Sequence, residues 1–241
     1  MKVLAITFMY NEAPYIKYWA KFYRENGCKL YVIDNCSTDN SEDEYKRLNI
    51  PYHKFDTDGS FHLTILQKEA DRVIHEIKPD WVVYAGADLF HVMSKPIIKV
   101  LEEVEGNQIL LPCYAAHNTG EKFSENLPAV YHYWSLWANI CMISKYDESF
   151  RLNTDDILID NPHRVLVDGL SVNFGACKPI DEQKEKLERR RKAWEQGLNP
   201  RFGKHFVKGE KINWLREKEG LIDVLVSEEI YYLARILNYL S

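Results

Sequence analysis

A chain of 241 residues with a formal net charge of −5 gives no electrostatic reason to expect nucleic acid or an anionic membrane as a partner. Hydrophobic residues at 46% and charged residues at 28% exclude a disordered or fibrous chain and fit a globular one with a sizeable core. No apolar run approaches the ~18 residues of a membrane-spanning helix, and the first apolar run, residues 1–8, is too short for a signal peptide. The cysteines at 28, 36, 113, 141 and 177 are odd in number and lack C-x-x-C spacing. They point to reduced thiols and a cytoplasmic setting rather than a disulfide frame or zinc site.

Residues 3–8 form a continuous apolar run, the pattern of a strand buried on both faces. Asn11 then offers a cap, and Pro14 a first-turn residue, for a helix that stops near Asn26 and Gly27. A second strand over 30–33 leads into Asp34-Asn-Cys-Ser-Thr-Asp-Asn-Ser41, a loop of capping residues that opens a short helix to Leu48. A short third strand is predicted over 50–53. Leu63, Leu66, Ala70, Val73, Ile74 and Ile77 recur at helical spacing. Residues 81–84, Trp-Val-Val-Tyr, are β-branched and aromatic, and a break at Lys78-Pro79-Asp80 precedes them. This fourth strand stops at Ala85, Gly86 and Ala87, small enough to admit backbone or a ligand, and then presents one carboxylate, Asp88. Ser94-Lys-Pro96 opens a helix to about Gly106, and 108–112 is a further strand. Alternation of strand and helix to residue 112 implies βαβ units and a largely parallel sheet.

The rest is less regular. Residues 131–143 are aromatic and β-prone, and 165–167 with 170–174 read as a hairpin around Asp168-Gly169. Residues 178–196 read as a long charged helix that stops at Gly197-Leu-Asn-Pro200, and 226–240 as an amphipathic one.

Three predicted strands end in polar residues: Tyr10, Asn11 and Glu12; then Asp34, Asn35 and Ser37; then Asp88. The carboxyl ends of parallel strands share one rim, where ligands sit in open α/β sheets. A carboxylate there can accept from a nucleobase imide N–H, and further acceptors serve ribose hydroxyls. A carboxylate after the fourth strand can hold Mg²⁺ or Mn²⁺ against a diphosphate, and the metal would act as a Lewis acid on the departing group. The plainer alternative is that Asn11, Glu12, Ser37 and Asp39 cap their helices.

The segments Phe8-Met-Tyr-Asn-Glu12, Tyr15-Ile16 with Trp19, Val32-Ile-Asp-Asn-Cys-Ser-Thr-Asp-Asn40, and the run from Asp80 to Phe90 resemble the opening of GT-A fold glycosyltransferases. The likeness is to family-2-like enzymes with an N-E-x-x-Y-L-x-E-W pattern and a D-x-D motif, and it covers about residues 1–100. It implies a GT-A, Rossmann-like nucleotide-diphospho-sugar transferase fold: a mostly parallel α/β sheet flanked by helices, with an irregular α+β C-terminal half. With no internal repeat, low-complexity segment or convincing linker, residues 1–241 read as a single domain, in which the resemblance implies that 1–112 bind a nucleotide sugar and 113–241 lie on the acceptor side. The activity implied is transfer of a sugar, most often from a UDP-linked donor, to a glycan, lipid-linked or small-molecule acceptor. Tyr10 and Glu12 then contact the nucleoside and Asp34 reads the base, with Asn11, Asn35 and Ser37 beside them. Asp88 is the last Asp of D-x-D and the ligand of Mn²⁺ or Mg²⁺. Gly86 stands where that motif has its first Asp, and Leu89 where an acid often follows. Tyr18 and Tyr23 replace a Glu and a His, and Asn173 stands where a His precedes an aromatic-Gly pair. The reduced motif leaves open a non-catalytic relative that binds a nucleotide sugar or a partner protein. A nucleotidyltransferase is a third reading, although no Gly-rich basic loop follows the first strand.

Candidates for the chemistry lie later in the chain. Asp155 and Asp156, with Asp160 near them, offer a general base for the acceptor hydroxyl, or a solvated acidic loop. His163 is a candidate second metal ligand and Lys178 a candidate diphosphate contact. Arg189, Arg190 and Arg191 with Lys186 and Lys192 could meet a diphosphate, but they alternate with Glu182, Glu185 and Glu188, the pattern of a salt-bridged solvated face, which is the favoured reading. Ile230, Leu233, Ala234, Leu237 and Leu240 form a stripe suited to core or homodimer contact.

Overall fold

The computed structural model describes residues 1–117, 132–153, 156–173 and 180–196. Its first half alternates as the hydrophobic periodicity predicts. β1 (Val3–Met9) is buried along almost its whole length because a helix covers each face. α1 (Ala13–Glu25) turns Ile16, Trp19, Ala20 and Tyr23 onto one face, and α3 (Leu63–Ile77) turns Leu66, Ala70, Val73 and Ile74 onto the other. The pleat of β1 sorts its residues between these two cores: Val3, Ala5 and Met9 join the first, Leu4 and Ile6 the second. β2 (Cys28–Asp34) is followed by α2 (Ser41–Arg47) and β3 (Tyr52–Lys54), and α3 leads to β4 (Trp81–Tyr84). These strands form a parallel block in the order β3-β2-β1-β4.

Past β4 the sheet becomes mixed. β5 (Leu89–Met93), which has no separate sequence signal, follows β4 after only four residues. α4 (Ile97–Glu103) then leads to β6 (Gln108–His117), and β7 (His132–Lys145) pairs antiparallel with both β4 and β6. β11 (Gly169–Asn173) pairs with β6 in parallel and with β5 antiparallel, giving the order β4-β7-β6-β11-β5. Four strand spacings span ~19 Å in a flat sheet. The five Cα steps from Tyr84 to Leu89 reach only ~17 Å. The sheet therefore curls, and β5 returns to α1. There Phe90 meets Phe22 edge-on with ring centroids 5.2 Å apart, and the Tyr23 hydroxyl donates to the Leu89 carbonyl at 2.9 Å. The result is a mostly parallel, curled α/β sheet.

Two expectations are corrected. Residues 164–173 are not a hairpin. β10 (Arg164–Leu166) and β11 both run parallel to β6 along successive stretches of it, with two extra residues of chain between them. Gly169 serves close strand approach rather than a hairpin turn, since a Cβ there would lie 2.6 Å from the Val92 carbonyl oxygen. The stretch expected as an acidic loop carries β9 (Asp156–Leu158), which pairs with β8 (Arg151–Asn153) and meets β7 at Cys141↔Asp156. α5 (Ile180–Glu195) is the long charged helix. Asp155, Lys178 and the helix expected over 226–240, with its homodimer contact, lie outside the described residues. Cys28 and Cys36 are free thiols. No helix among the described residues is long and apolar enough to cross a membrane.

Candidate functional site

β1 and β2 end level, Met9 opposite Asp34, and the loops that follow are knitted together. Asn11 adopts a left-handed backbone, φ 52°, which Asn tolerates better than most residues. Its N–H donates to Ser37 Oγ at 3.0 Å, and its Oδ1 accepts from the Thr38 N–H at 2.8 Å. The Glu12 N–H donates to Ser41 Oγ and the Ala13 N–H to Asp39 Oδ2, both at 3.1 Å. The orphan donors at the start of α1 are thus capped from the β2–α2 loop. This corrects the expectation that Asn11 caps α1, and it sets Asp39 and Ser41 to work on α1 as well as on their own turn.

Asp34 is fully buried beneath this latch. Its Oδ1 accepts from Ser37 Oγ at 2.5 Å and from the Tyr45 hydroxyl at 3.3 Å, and its Oδ2 from the Ser37 N–H at 3.1 Å. Burial, and then the nearby Asp34 charge, push the Tyr45 phenol above its usual range. Asn35 secures the next loop: Oδ1 accepts from Thr57 Oγ1 at 2.9 Å and Nδ2 donates to the Ser60 carbonyl at 3.2 Å.

The turn after β4 is held from two sides. Trp19 Nε1 donates to the Ala85 carbonyl at 3.3 Å. His91 in β5 sets its Nε2 3.0 Å from the Tyr84 carbonyl and its Nδ1 2.7 Å from Ser171 Oγ. A carbonyl can only accept, so Nε2 carries the proton and Nδ1 accepts from the serine. Burial pulls His91 down to about 4, which keeps the ring neutral. Asp88, 9% exposed, ends this turn. A Cβ at Gly86 would approach Asp88 Oδ1 to 3.1 Å, so a side chain there would crowd the carboxylate.

Helix α5 roofs the rim. The Tyr15 hydroxyl donates to Glu182 Oε2 at 2.8 Å, and Asn11 Nδ2 to Glu185 Oε1 at 3.2 Å. Burial and Glu182 together push the Tyr15 phenol up. Lys186 Nζ donates to Asp88 Oδ2 at 3.0 Å. The Arg189 guanidinium lies 3.2 Å from the centroid of the Tyr10 ring and donates to the Gly59 and Ser60 carbonyls. The Arg190 guanidinium lies 5.5 Å from the Phe61 ring centroid. Burial lowers Arg190 from its ordinary value while Asp88, Tyr84 and Glu12 oppose that shift, and a guanidinium stays charged regardless. Lys186, Arg189, Arg190 and Ala193 recur at i, i+3, i+4 and i+7, one helical face. Glu188, Arg191 and Glu195 pair with one another on the opposite face. The expected solvated face is therefore right for Arg191 and is corrected for Lys186, Arg189 and Arg190. The signal in the sequence is this split, with Ala193 marking the covered side.

Two predicted residues stand apart from Asp88 or are set by backbone alone. His163 is exposed at the amino rim. Its N–H donates to Asn107 Oδ1 at 2.6 Å, and its carbonyl accepts from the Asn107 and Gln108 N–H groups where β6 begins. β6 runs in the direction of β4, so its start is the rim opposite Asp88. Asp156 pairs with Cys141, and β7 reaches Cys141 two residues beyond Ile143, the partner of Val83. That register puts Asp156 level with the carboxyl end of β4.

Among the described residues the donor set does not fit the expected divalent cation. Such a cation takes oxygen ligands, often one or two carboxylates from the protein with phosphates and water supplying the rest. Among the described residues no group of three or more His, Cys, Asp or Glu could hold one. Gly86 adds no side-chain oxygen, His163 is on the far rim, and Asp88 Oδ2 faces an ammonium.

No family model matches this chain, and no curated protein sequence does. Among solved structures it is similar to Staphylococcus aureus TarS 1-349 in complex with UDP, at 19% identity and TM-score 0.37, covering 48% of this chain and 36% of that one. S. aureus TarS is similar at 13% identity and TM-score 0.45, over 88% of this chain and 46% of that one. Glucosyl-3-phosphoglycerate synthase from Mycobacterium tuberculosis, with Mn²⁺, UDP and glucosyl-3-phosphoglycerate, is similar at 18% identity and TM-score 0.34, over 47% and 44%. The chain spans less than half the length of each of these three.

Proposed function

We propose that this chain is a GT-A glycosyltransferase that moves a sugar from a nucleotide donor, UDP-linked, to a hydroxyl of a glycan, lipid-linked or small-molecule acceptor. One observation carries the reading. Three strand ends bring Tyr10, Glu12, Asp34 and Asp88 to a single rim, roofed by a helix that turns Lys186, Arg189 and Arg190 inward beside Glu182. That combination suits a nucleoside diphosphate, which needs an aromatic face, hydroxyl acceptors and compensating positive charge. Tyr10 offers the face for the base, which Arg189 covers now. Glu12 accepts from the ribose. Asp34, with Ser37, Asn35 and Asn11, holds the loops that line the nucleoside.

In the transfer, the bond between the anomeric carbon and the diphosphate oxygen breaks, and its electron pair leaves with the nucleoside diphosphate. The acceptor oxygen bonds to that carbon, and its proton passes to a carboxylate. Asp156, with Asp155 beside it in sequence, is our candidate for this base because its strand register sets it at the same rim. A base must come within roughly 3 Å of the hydroxyl it deprotonates.

Calorimetric titration of UDP, GDP and CDP tests the binding claim, and release of UDP from UDP-sugars tests the chemistry. UDP should bind tightest and UDP should be released. Absence of binding by all three nucleotides contradicts the reading. The Lys186–Asp88 ion pair across the rim favours a second reading, a binder without transfer activity. Tight UDP binding with no UDP release from any UDP-sugar would select it.

A further inference from the structure

We propose that Lys186 and Arg190 of α5, rather than a divalent cation, supply the positive charge that holds the donor's diphosphate; this rests on the strand-end rim being a nucleotide site. Lys186 is bound to Asp88, the one carboxylate in the turn after β4, at 3.0 Å, with side chains 39% and 10% exposed. One helical turn on, Arg190 stands over Phe61 with Asp88 and Glu12 within electrostatic reach. Residues at i and i+4 share a helix face, so two unit charges stand side by side. Their sum equals that of one magnesium or manganese ion.

The neighbouring arginines are engaged elsewhere. Arg191 pairs with Glu188 and Glu195 on the solvent side, and Arg189 is anchored on Tyr10 and the Gly59 and Ser60 carbonyls. A metal on Asp88 would displace the ammonium and then sit among like charges, which is unfavourable. A diphosphate instead replaces Asp88 as the partner of Lys186. The exchange trades one charge-assisted hydrogen bond for another. Arg190 can grip two phosphate oxygens with its planar fork. As the anomeric carbon–oxygen bond breaks, both cations face the charge that develops on the leaving diphosphate.

Inorganic pyrophosphate is the probe that separates this claim from the nucleotide reading. It is titrated calorimetrically into the full chain in EDTA, with UDP in a parallel arm and thermal melts to confirm folding. Pyrophosphate should bind without metal. Lys186→Gln and Arg190→Gln should each weaken it by at least about ten-fold, and Arg191→Gln by less than about two-fold. Lys186→Arg should retain binding, since charge rather than packing is at issue. Asp88→Asn removes the competing carboxylate and should tighten binding, a gain that a misfolded variant cannot imitate. Pyrophosphate binding that requires Mn²⁺, or that survives unchanged in both glutamine variants, overturns the proposal. UDP binding no tighter than pyrophosphate contradicts the nucleotide reading and leaves the anion site standing.

Discussion

The two rims of the same parallel strands are closed by different means. At the amino rim, the Lys2 N–H donates to Asp80 Oδ2 at 2.5 Å, Lys2 Nζ to the Ile77 carbonyl at 2.7 Å, and Asn107 holds the His163 backbone. Each of these contacts has a backbone group as one partner, so each has a single solution. At the carboxyl rim, backbone groups knit the β1 and β2 loops, but α5 also joins the rim through side chain to side chain contacts across long sequence separations, as Asp88 and Lys186 do 98 residues apart. Such pairs can change partners without unfolding anything. Contacts anchored on backbone are structural, whereas the exchangeable Asp88–Lys186 pair under α5 can give way to a charged ligand.

Perturbing Asp34 should sharpen that contrast most. It is fully buried, and Asp34→Ala strands the Ser37 and Tyr45 hydroxyls and the Ser37 N–H. Urea unfolding should show a loss of about 3 kcal/mol, and UDP binding should disappear with the latch. A loss below about 1 kcal/mol would mean that the latch is not held through this carboxylate.

His91 should give the next largest effect, and one that depends on pH. Its folded value of about 4 lies below the ordinary 6.5, so the unfolded chain takes up the proton first. Stability should be intact above 6.5 and fall as the pH drops from 6.5 to 4, by up to about 3 kcal/mol. His91→Gln should flatten that part of the stability–pH curve. An unchanged slope in the variant would place the acid sensitivity elsewhere.

The amino rim supplies the smaller effects. Asn107→Ala removes an acceptor for the His163 N–H and a donor to the Asn161 carbonyl. It should lower stability by about 1–2 kcal/mol and leave UDP affinity untouched. His163→Ala should change stability by less than about 0.5 kcal/mol and should not alter nucleotide binding. A ten-fold loss of UDP affinity in either variant would break the division of labour between the rims.

Much of this was legible in the sequence because it is local. The apolar run of β1, the helical stripe of α3 and the Trp-Val-Val-Tyr strand each carry their own periodicity. What stayed hidden depends on distant partners. β5 directly follows the turn at Asp88 and is defined by pairing with β11, some 80 residues later. The paired residues 164–173 mimic a hairpin because Gly169 suits a turn as well as it suits close strand approach. α5 carries both charge signs at helical spacing on all sides, so Ala193 is a faint sequence mark of the covered face, and the fold partners are what reveal that Lys186, Arg189 and Arg190 face inward. Asn11, Ser37 and Asp34 were visible as a polar cluster, but their reciprocal bonds across two loops were not.

The most direct test of the whole account is UDP affinity measured in EDTA and again with Mn²⁺, in the parent and in the Lys186→Gln/Arg190→Gln double variant. The account predicts tight binding by the parent that changes less than about two-fold with metal, and at least about a hundred-fold weaker binding by the double variant. Binding by the parent only when Mn²⁺ is present, or equal binding by the two proteins, would contradict it.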